Sequence, residues 1–345
     1  MMDVECIKRI YNRLEDEKSK EIFVNRLLYS LTGDRKYMLE IINKMEEVQK
    51  IWEFLKTSRE IYIFGAGSYG RVIIDFYKEY MTIRGLIDND ISKVGKCLGG
   101  GVPVVSFSDF LERGGKNAKV IISSRLYCKE MFNQLIEAGI LQENILNLGE
   151  LINNLVSRQY FDLPALNSRE TDREVFIDGG CFSGFSSLGF IKWCNEKFEK
   201  IYAFEPDSIN LLKCKKVLAD YADKCEIIPK GLWDSTKDLR FANLGAGDSC
   251  ISDDGNIIIP VTNLDEVVKE KVTFLKLDIE GAEYKALLGA RKIIKRDSPR
   301  LAICVYHKPE DIWELPELLL DINPNYKFYF RHYSIATHET ILYAV

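Results

Sequence analysis

Four times in the second half of the chain a short apolar run stops on an ionisable residue at a turn, and this recurrence constrains the fold more than any other feature. Val175-Phe176-Ile177 ends at Asp178, and Ile201-Tyr202-Ala203-Phe204 ends at Glu205. Phe274-Leu275-Lys276-Leu277 ends at Asp278, and the run from Leu301 to Tyr306 ends at His307. Runs this rich in β-branched and aromatic residues read as strands buried on both faces. Between them lie stretches with helical character, 183–196, 208–221, 282–295 and 309–320. Strand–helix alternation of this kind builds a parallel sheet, so the strand ends share one edge. In such sheets a ligand binds in the crevice beyond that carboxyl edge.

The chemistry of the edge follows from its residue types. After Asp178, the turn Gly179-Gly180-Cys181-Phe182-Ser183-Gly184 opens a helix. Glycines let backbone approach a ligand closely. A dinucleotide fold would place a pyrophosphate at that helix N-terminus. Here an acid precedes the turn and no G-x-G-x-x-G follows, which suits a cationic cofactor such as S-adenosylmethionine, with its sulfonium and ammonium groups. Glu205, at the end of the next strand and followed by Pro206, is placed to accept ribose hydroxyls. Gly231 and Leu232, after a third strand at Glu226–Pro229, are expected beside the adenine. Asp278, Glu280 and Glu283 cluster where the fourth strand yields to a helix. They read either as caps on the helix dipole or as the border of the reaction crevice. Lys276 shares a strand face with Asp278 and is expected to pair with a carboxylate. His307 is a candidate general base by its strand-end position. The acids could alternatively hold a divalent cation, although no dedicated metal motif is present.

A second alternation precedes this one. Ile61-Tyr62-Ile63-Phe64 runs into Gly65-Ala66-Gly67-Ser68-Tyr69-Gly70, and Ile83 to Ile87 runs into Asp88. Gly65, Gly67, Gly70 and Asp88 match a dinucleotide fingerprint and form a candidate second nucleotide site. The rival is a scaffold in which the glycines only pack. The organisation expected is a helical segment at 1–58, a small Rossmann-like α/β domain at 59–150, a linker at 151–174, and a larger α/β domain at 175–345. The helical segment must pack on its own domain or on a second copy in a homodimer. The larger domain, five β-α units and a closing hairpin, has the order of the seven-stranded class I methyltransferase fold.

Composition excludes other classes. A net charge of −5 with scattered lysines and arginines offers no stripe for nucleic acid. No apolar stretch reaches the ~18 residues of a membrane span. The first residues are too charged for a signal peptide, so a cytoplasmic location is expected. Nine cysteines without C-x-x-C spacing read as reduced thiols, with no metal site.

The motifs FIDGGCFSGFSS, FEPD, LKLDIEGAE with ALLGA, LAICVYHKPEDIWELP and the closing HYS…ETILYAV resemble the FkbM family of methyltransferases. The resemblance covers Val175 to Val345. It implies methyl transfer from S-adenosylmethionine to a hydroxyl of a sugar or natural product. By that resemblance Asp178, Gly179, Gly180 and Gly184 hold the amino-acid end of the cofactor, with Ser183 in the same turn. Glu205 holds the ribose, and Asp278, Glu280 and His307 border the acceptor. An N-methyltransferase, or a binding protein with an inactive methyltransferase domain, are the rivals. The pattern FGAGSYG…RGLIDND…GVPV looks like the small domains that precede sugar-modifying enzymes, which implies a nucleotide-sugar ligand there.

Overall fold

The structure is a computed structural model that describes residues 3–58, 60–168, 173–242, 250–251 and 257–345. It divides into a smaller unit, Leu39–Ser157 with Ser334–Ala336, and a larger unit, Met1–Met38, Arg158–Tyr333 and Thr337–Val345.

The smaller unit is built on six strands: β1 (Glu60–Phe64), β2 (Thr82–Ile87), β3 (Cys97–Leu98), β4 (Val102–Val105), β5 (Lys119–Ile122) and β6 (Ile145–Asn147), in the order β3-β4-β2-β1-β5-β6. All pairs are parallel except β3–β4. Ile61, Ile63, Phe64, Val120, Ile121 and Ile122 are fully buried, as doubly covered parallel strands require. The helix Glu46–Leu55 belongs to this unit; its Trp52 ring packs edge-on against Tyr77 and Tyr80 at 5.6 and 5.2 Å.

The larger unit adds β7 (Glu174–Gly179), β8 (Phe198–Phe204), β9 (Cys225–Ile228), β10 (Gly231–Leu232), β11 (Lys237–Ala242), β12 (Cys250–Ile251), β13 (Ile257–Thr262), β14 (Phe274–Leu277), β15 (Arg300–Cys304), β16 (Phe328–His332) and β17 (Thr340–Ala344). Its main sheet runs β16-β17-β15-β14-β7-β8-β9. Five strands are parallel, and β17 is antiparallel to both neighbours. This is the mixed α/β, seven-stranded architecture expected from the alternation. Phe176 stacks on Phe190 at 4.2 Å, and Phe161 packs on Phe274 at 5.6 Å, forming an aromatic core under the central strands.

Three segments differ in detail from the sequence reading. Strands β10 to β13 form a separate four-stranded sheet between β9 and β14, where the sequence reads as a polar excursion without strands. The stretch expected as a linker, 151–174, begins inside the helix Leu148–Arg158, and its Tyr160 and Leu163 are buried. The N-terminal helical segment is shared: Val4–Tyr11 and Glu17–Thr32 belong to the larger unit. There Phe23 meets Phe330 at 5.5 Å, Ser19 Oγ accepts the Phe330 N–H at 2.9 Å, and Asp16 pairs with Arg331 at 2.6 Å. The helix Glu17–Thr32 thus packs against the hairpin strand β16, whereas Val4–Tyr11 packs on the helix Asp311–Ile322.

The edge of the sheet opposite the strand C-termini is fixed by an ion pair. Arg300, at the start of β15, pairs with Glu174, at the start of β7, and both are buried. The guanidinium also donates to the Leu166 carbonyl at 2.8 Å and lies over the Trp193 ring. Removing one partner strands a buried charge. Arg300→Met is expected to cost about 3–5 kcal/mol, read as a lower denaturant midpoint of the full chain. An unchanged midpoint would show that the pair holds nothing together.

Candidate functional site

The turn after β7 is shaped by contacts that a side chain would forbid. Gly180 has φ +73°, and a Cβ there would stand 1.9 Å from the Asp278 carbonyl oxygen. Only glycine lets the β7 and β14 ends approach this closely. Gly179 leaves the space that the Leu232 side chain enters, so Gly231 and Leu232, on β10, sit beside this turn. Gly184 caps the helix Phe185–Trp193, and Ser183 before it is half-buried.

Asp178 is fully buried. One carboxylate oxygen accepts from the hydroxyls of Ser186 and Ser187 at 2.6 and 2.7 Å, and the other lies 3.1 Å from Lys276 Nζ. Lys276, itself buried on β14, donates to the Gly179 and Gly180 carbonyls at 3.1 and 2.8 Å. Burial opposes its charge, but Asp178 and Asp278 overcome this and hold its pKa above the ordinary lysine value. The turn is therefore held from below by a buried cation and an acid.

Glu205 stands at the end of β8. Its two oxygens accept the Phe182 and Asp207 N–H groups, each at 2.9 Å. Each oxygen keeps a lone pair. Burial raises its pKa, and those N–H groups counter the rise.

Beyond β14 and β15 lies a denser group. Asp278 accepts from Tyr160 Oη at 2.8 Å and from Tyr306 Oη at 3.2 Å. Burial works against its charge, but Lys276, His307 and the Tyr160 hydroxyl leave its pKa below the usual carboxylate value. His307 is buried among three acids. Its Nδ1 lies 2.9 Å from Glu283 Oε1, and its Nε2 lies 3.5 Å from Asp278 and 3.6 Å from Glu280. Burial opposes the imidazolium, but Glu283, Asp278 and Glu280 outweigh it and raise the pKa to about 9. At neutral pH the ring is a cation.

Five further residues stand here that the pattern of strand ends does not single out. Tyr160 comes from the expected linker, and Tyr306 from the end of β15. Gln159 donates to Glu339, which precedes β17. Burial and the Asp278 charge push Glu339 up to about 7. Arg26, from the helix Glu17–Thr32, donates to the Thr337 and Tyr306 carbonyls. A second signal marks the same edge. Among the described residues seven non-glycines have positive φ, and four of them, Tyr160, Phe182, Glu280 and Glu339, lie here. Such backbone concentrates where structure is held for function.

In the smaller unit the glycine motif is brought together but engaged internally. Asp88 accepts the Ala66 N–H at 2.8 Å and the Asp90 N–H at 2.8 Å, and pairs with Lys93 at 3.2 Å. A Cβ on Gly70 would meet the Gly65 carbonyl at 2.2 Å, whereas Gly67 faces open space. Among the described residues no three His, Cys, Asp or Glu side chains are disposed to hold a metal ion. The sequence also reads 235–256 as a lid, and its glycines 245, 247 and 255 lie outside the described residues.

The raised pKa of His307 has a measurable consequence. A histidine held above its unfolded value of ~6.5 adds stability that is complete below that pH. The contribution is lost as pH rises through about 9. Melting temperature is expected to fall between neutral pH and pH ~9.5 more steeply in wild type than in His307→Gln. Parallel profiles would contradict the buried imidazolium.

Comparison with known proteins agrees with this fold. Residues 179–330 match the family model described as the Methyltransferase FkbM domain. Among solved structures, the chain is similar to the methyltransferase FkbM from Methylobacillus flagellatus KT, at 22% identity and TM-score 0.51, over 86% of this chain and 93% of that one. It is also similar to an rRNA methylase from Streptococcus thermophilus (19% identity, 52% and 90% covered, TM-score 0.35) and a putative methyltransferase from Streptococcus mutans in complex with SAH (15%, 57% and 96%, 0.31). No curated protein matches. No described helix is long and apolar enough to cross a membrane. Within the seven-stranded unit, residues 179–330 thus resemble the FkbM methyltransferase domain.

Proposed function

We propose that the chain transfers a methyl group from S-adenosylmethionine to a hydroxyl of a sugar or natural product. The observation that carries this reading is the carboxylate-lined edge itself. Asp178, Glu205 and Asp278 end three adjacent parallel strands around a glycine turn. Glu205 and Asp278, with Asp178 neutralised beneath the turn, fit a cationic cofactor with ribose hydroxyls and oppose a phosphate. When bound, S-adenosylmethionine supplies the methyl group.

The residues divide the remaining work. Glu205, already oriented by two main-chain N–H groups, accepts the ribose hydroxyls with its free lone pairs. Gly179, Gly180, Ser183 and Gly184 form the turn against which the amino-acid end rests. Asp178 acts one step back, holding that turn through Ser186, Ser187 and Lys276. Asp278 and Glu280 border the acceptor, with His307 fixed between them as a cation. A protonated ring does not take a proton, and Asp278 is kept ionised by its partners. Glu339 is the group matched to neutral pH, so we place proton removal there. Catalysis rests chiefly on aligning acceptor oxygen and methyl carbon.

A hydroxyl acceptor is favoured over an amine by the same charges. Carboxylates hold an amine as its ammonium ion, which has no lone pair to attack. For the smaller unit we propose a scaffold role over a nucleotide-sugar site. Asp88 is already committed to the loop, and Gly70 is explained by packing.

Transfer of labelled methyl from S-adenosylmethionine to a panel of glycans and alcohols tests this reading. Glu205→Ala is expected to raise KM for the cofactor about tenfold or more, a loss of roughly 1.4 kcal/mol. The rate is expected to climb as pH rises through about 7 and then level off. That climb is expected to disappear in Glu339→Gln. Unchanged kinetics in Glu205→Ala would overturn the cofactor assignment, and an unchanged pH profile in Glu339→Gln would remove Glu339 from its role.

A further inference from the structure

The helices Phe185–Trp193 and Ser208–Val217, which begin at the ends of β7 and β8, carry an outward surface that the proposed chemistry does not use. Phe182, Phe185, Ile209 and Leu212 are 59%, 67%, 63% and 69% exposed. Single exposed apolar residues are ordinary, but a contiguous patch of a few hundred Å² marks an interaction site. These four are grouped. Ile209, Leu212, Lys213 and Lys216 fall at helical spacings of three, four and seven and share one face. The buried Cys214 lies off that face, against the neighbouring turn. A Cβ on Gly184 would meet its sulfur at 3.1 Å. The Lys213 ammonium stands 5.4 Å from the Phe182 ring, which joins the two halves of the surface.

The charge of this surface runs against the rest of the molecule. The chain carries net −5. The two helices, FSSLGFIKW and SINLLKCKKV, contain lysines and no Asp or Glu. Large apolar tips beside unopposed lysines fit a surface that is apolar beneath and anionic above. A bilayer with acidic headgroups has that profile, with side chains entering ~5–10 Å and each lysine adding about 1 kcal/mol.

We propose that the outward face of the helix Ser208–Val217, together with Phe182 and Phe185, docks the protein onto an anionic lipid bilayer. Docking there sets the turn after β7 beside the headgroups. The inference does not depend on the methyl-transfer reading.

Vesicle flotation of the full chain tests it, with phosphatidylcholine vesicles that contain or lack phosphatidylglycerol. Wild type is expected to float with the anionic vesicles and at least about tenfold less with the neutral ones. Ile209→Asp with Leu212→Asp, and separately Lys213→Glu with Lys216→Glu, are expected to reduce flotation by a similar factor. Because all four side chains are exposed, circular dichroism of both variants should match wild type. No flotation of wild type, equal flotation with neutral vesicles, or variants that float like wild type would each overturn the proposal. So would a concentration-dependent dimer that Ile209→Asp with Leu212→Asp abolishes while wild type ignores vesicles, because that face would then belong to a second copy. Cofactor binding measured on the same samples separates any failure here from failure of the catalytic reading.

Discussion

A lysine with almost no exposure governs the carboxyl edge of the larger unit. Lys276 sits on β14 between two acids, neutralises Asp178, and ties down the carbonyls of Gly179 and Gly180. A buried charge is tolerated only when its partners and hydrogen bonds repay desolvation. Here they do so while fixing the turn after β7. Lys276 also helps keep Asp278 ionised at the partly exposed end of β14. Without it, the buried Asp178 carboxylate would lose its cation, and the turn would lose its floor.

From that fixed point the edge divides into two environments. On the β8 side Glu205 is held by main-chain N–H groups and presents oxygens suited to hydroxyls. On the β15 side, three acids, Asp278, Glu280 and Glu283, surround the single imidazole of His307, and Tyr160 and Tyr306 donate to Asp278. The two sides differ in protonation as well as position. Asp278 and His307 are locked into their charged forms, while Glu339 is left near neutrality by burial. An edge with all three behaviours can bind, orient and exchange a proton without any group changing its place.

Much of this was legible in the sequence, for a physical reason. Doubly buried parallel strands are unbroken apolar runs, and whatever follows them lands on one edge. Asp178, Glu205, Asp278 and His307 were found that way. Tyr160, Gln159, Glu339 and Arg26 were not, because each arrives from a segment whose local pattern says nothing about the edge. Tyr160 and Gln159 follow a helix end, Glu339 occupies a hairpin turn, and Arg26 lies on a helix of the N-terminal arm. Strands β11 and β13 were missed because their alternation is weak and glycine-rich stretches surround them. The G-x-G-x-x-G at Gly65 shows the converse. The motif was easy to read, yet packing accounts for Gly70, and Asp88 serves the loop itself.

The central claim is that this acid-lined edge holds S-adenosylmethionine. Calorimetric titration of the full chain with S-adenosylhomocysteine, the demethylated product, tests it most directly. One site per chain with micromolar affinity is expected. An absence of binding heat at millimolar ligand would contradict it.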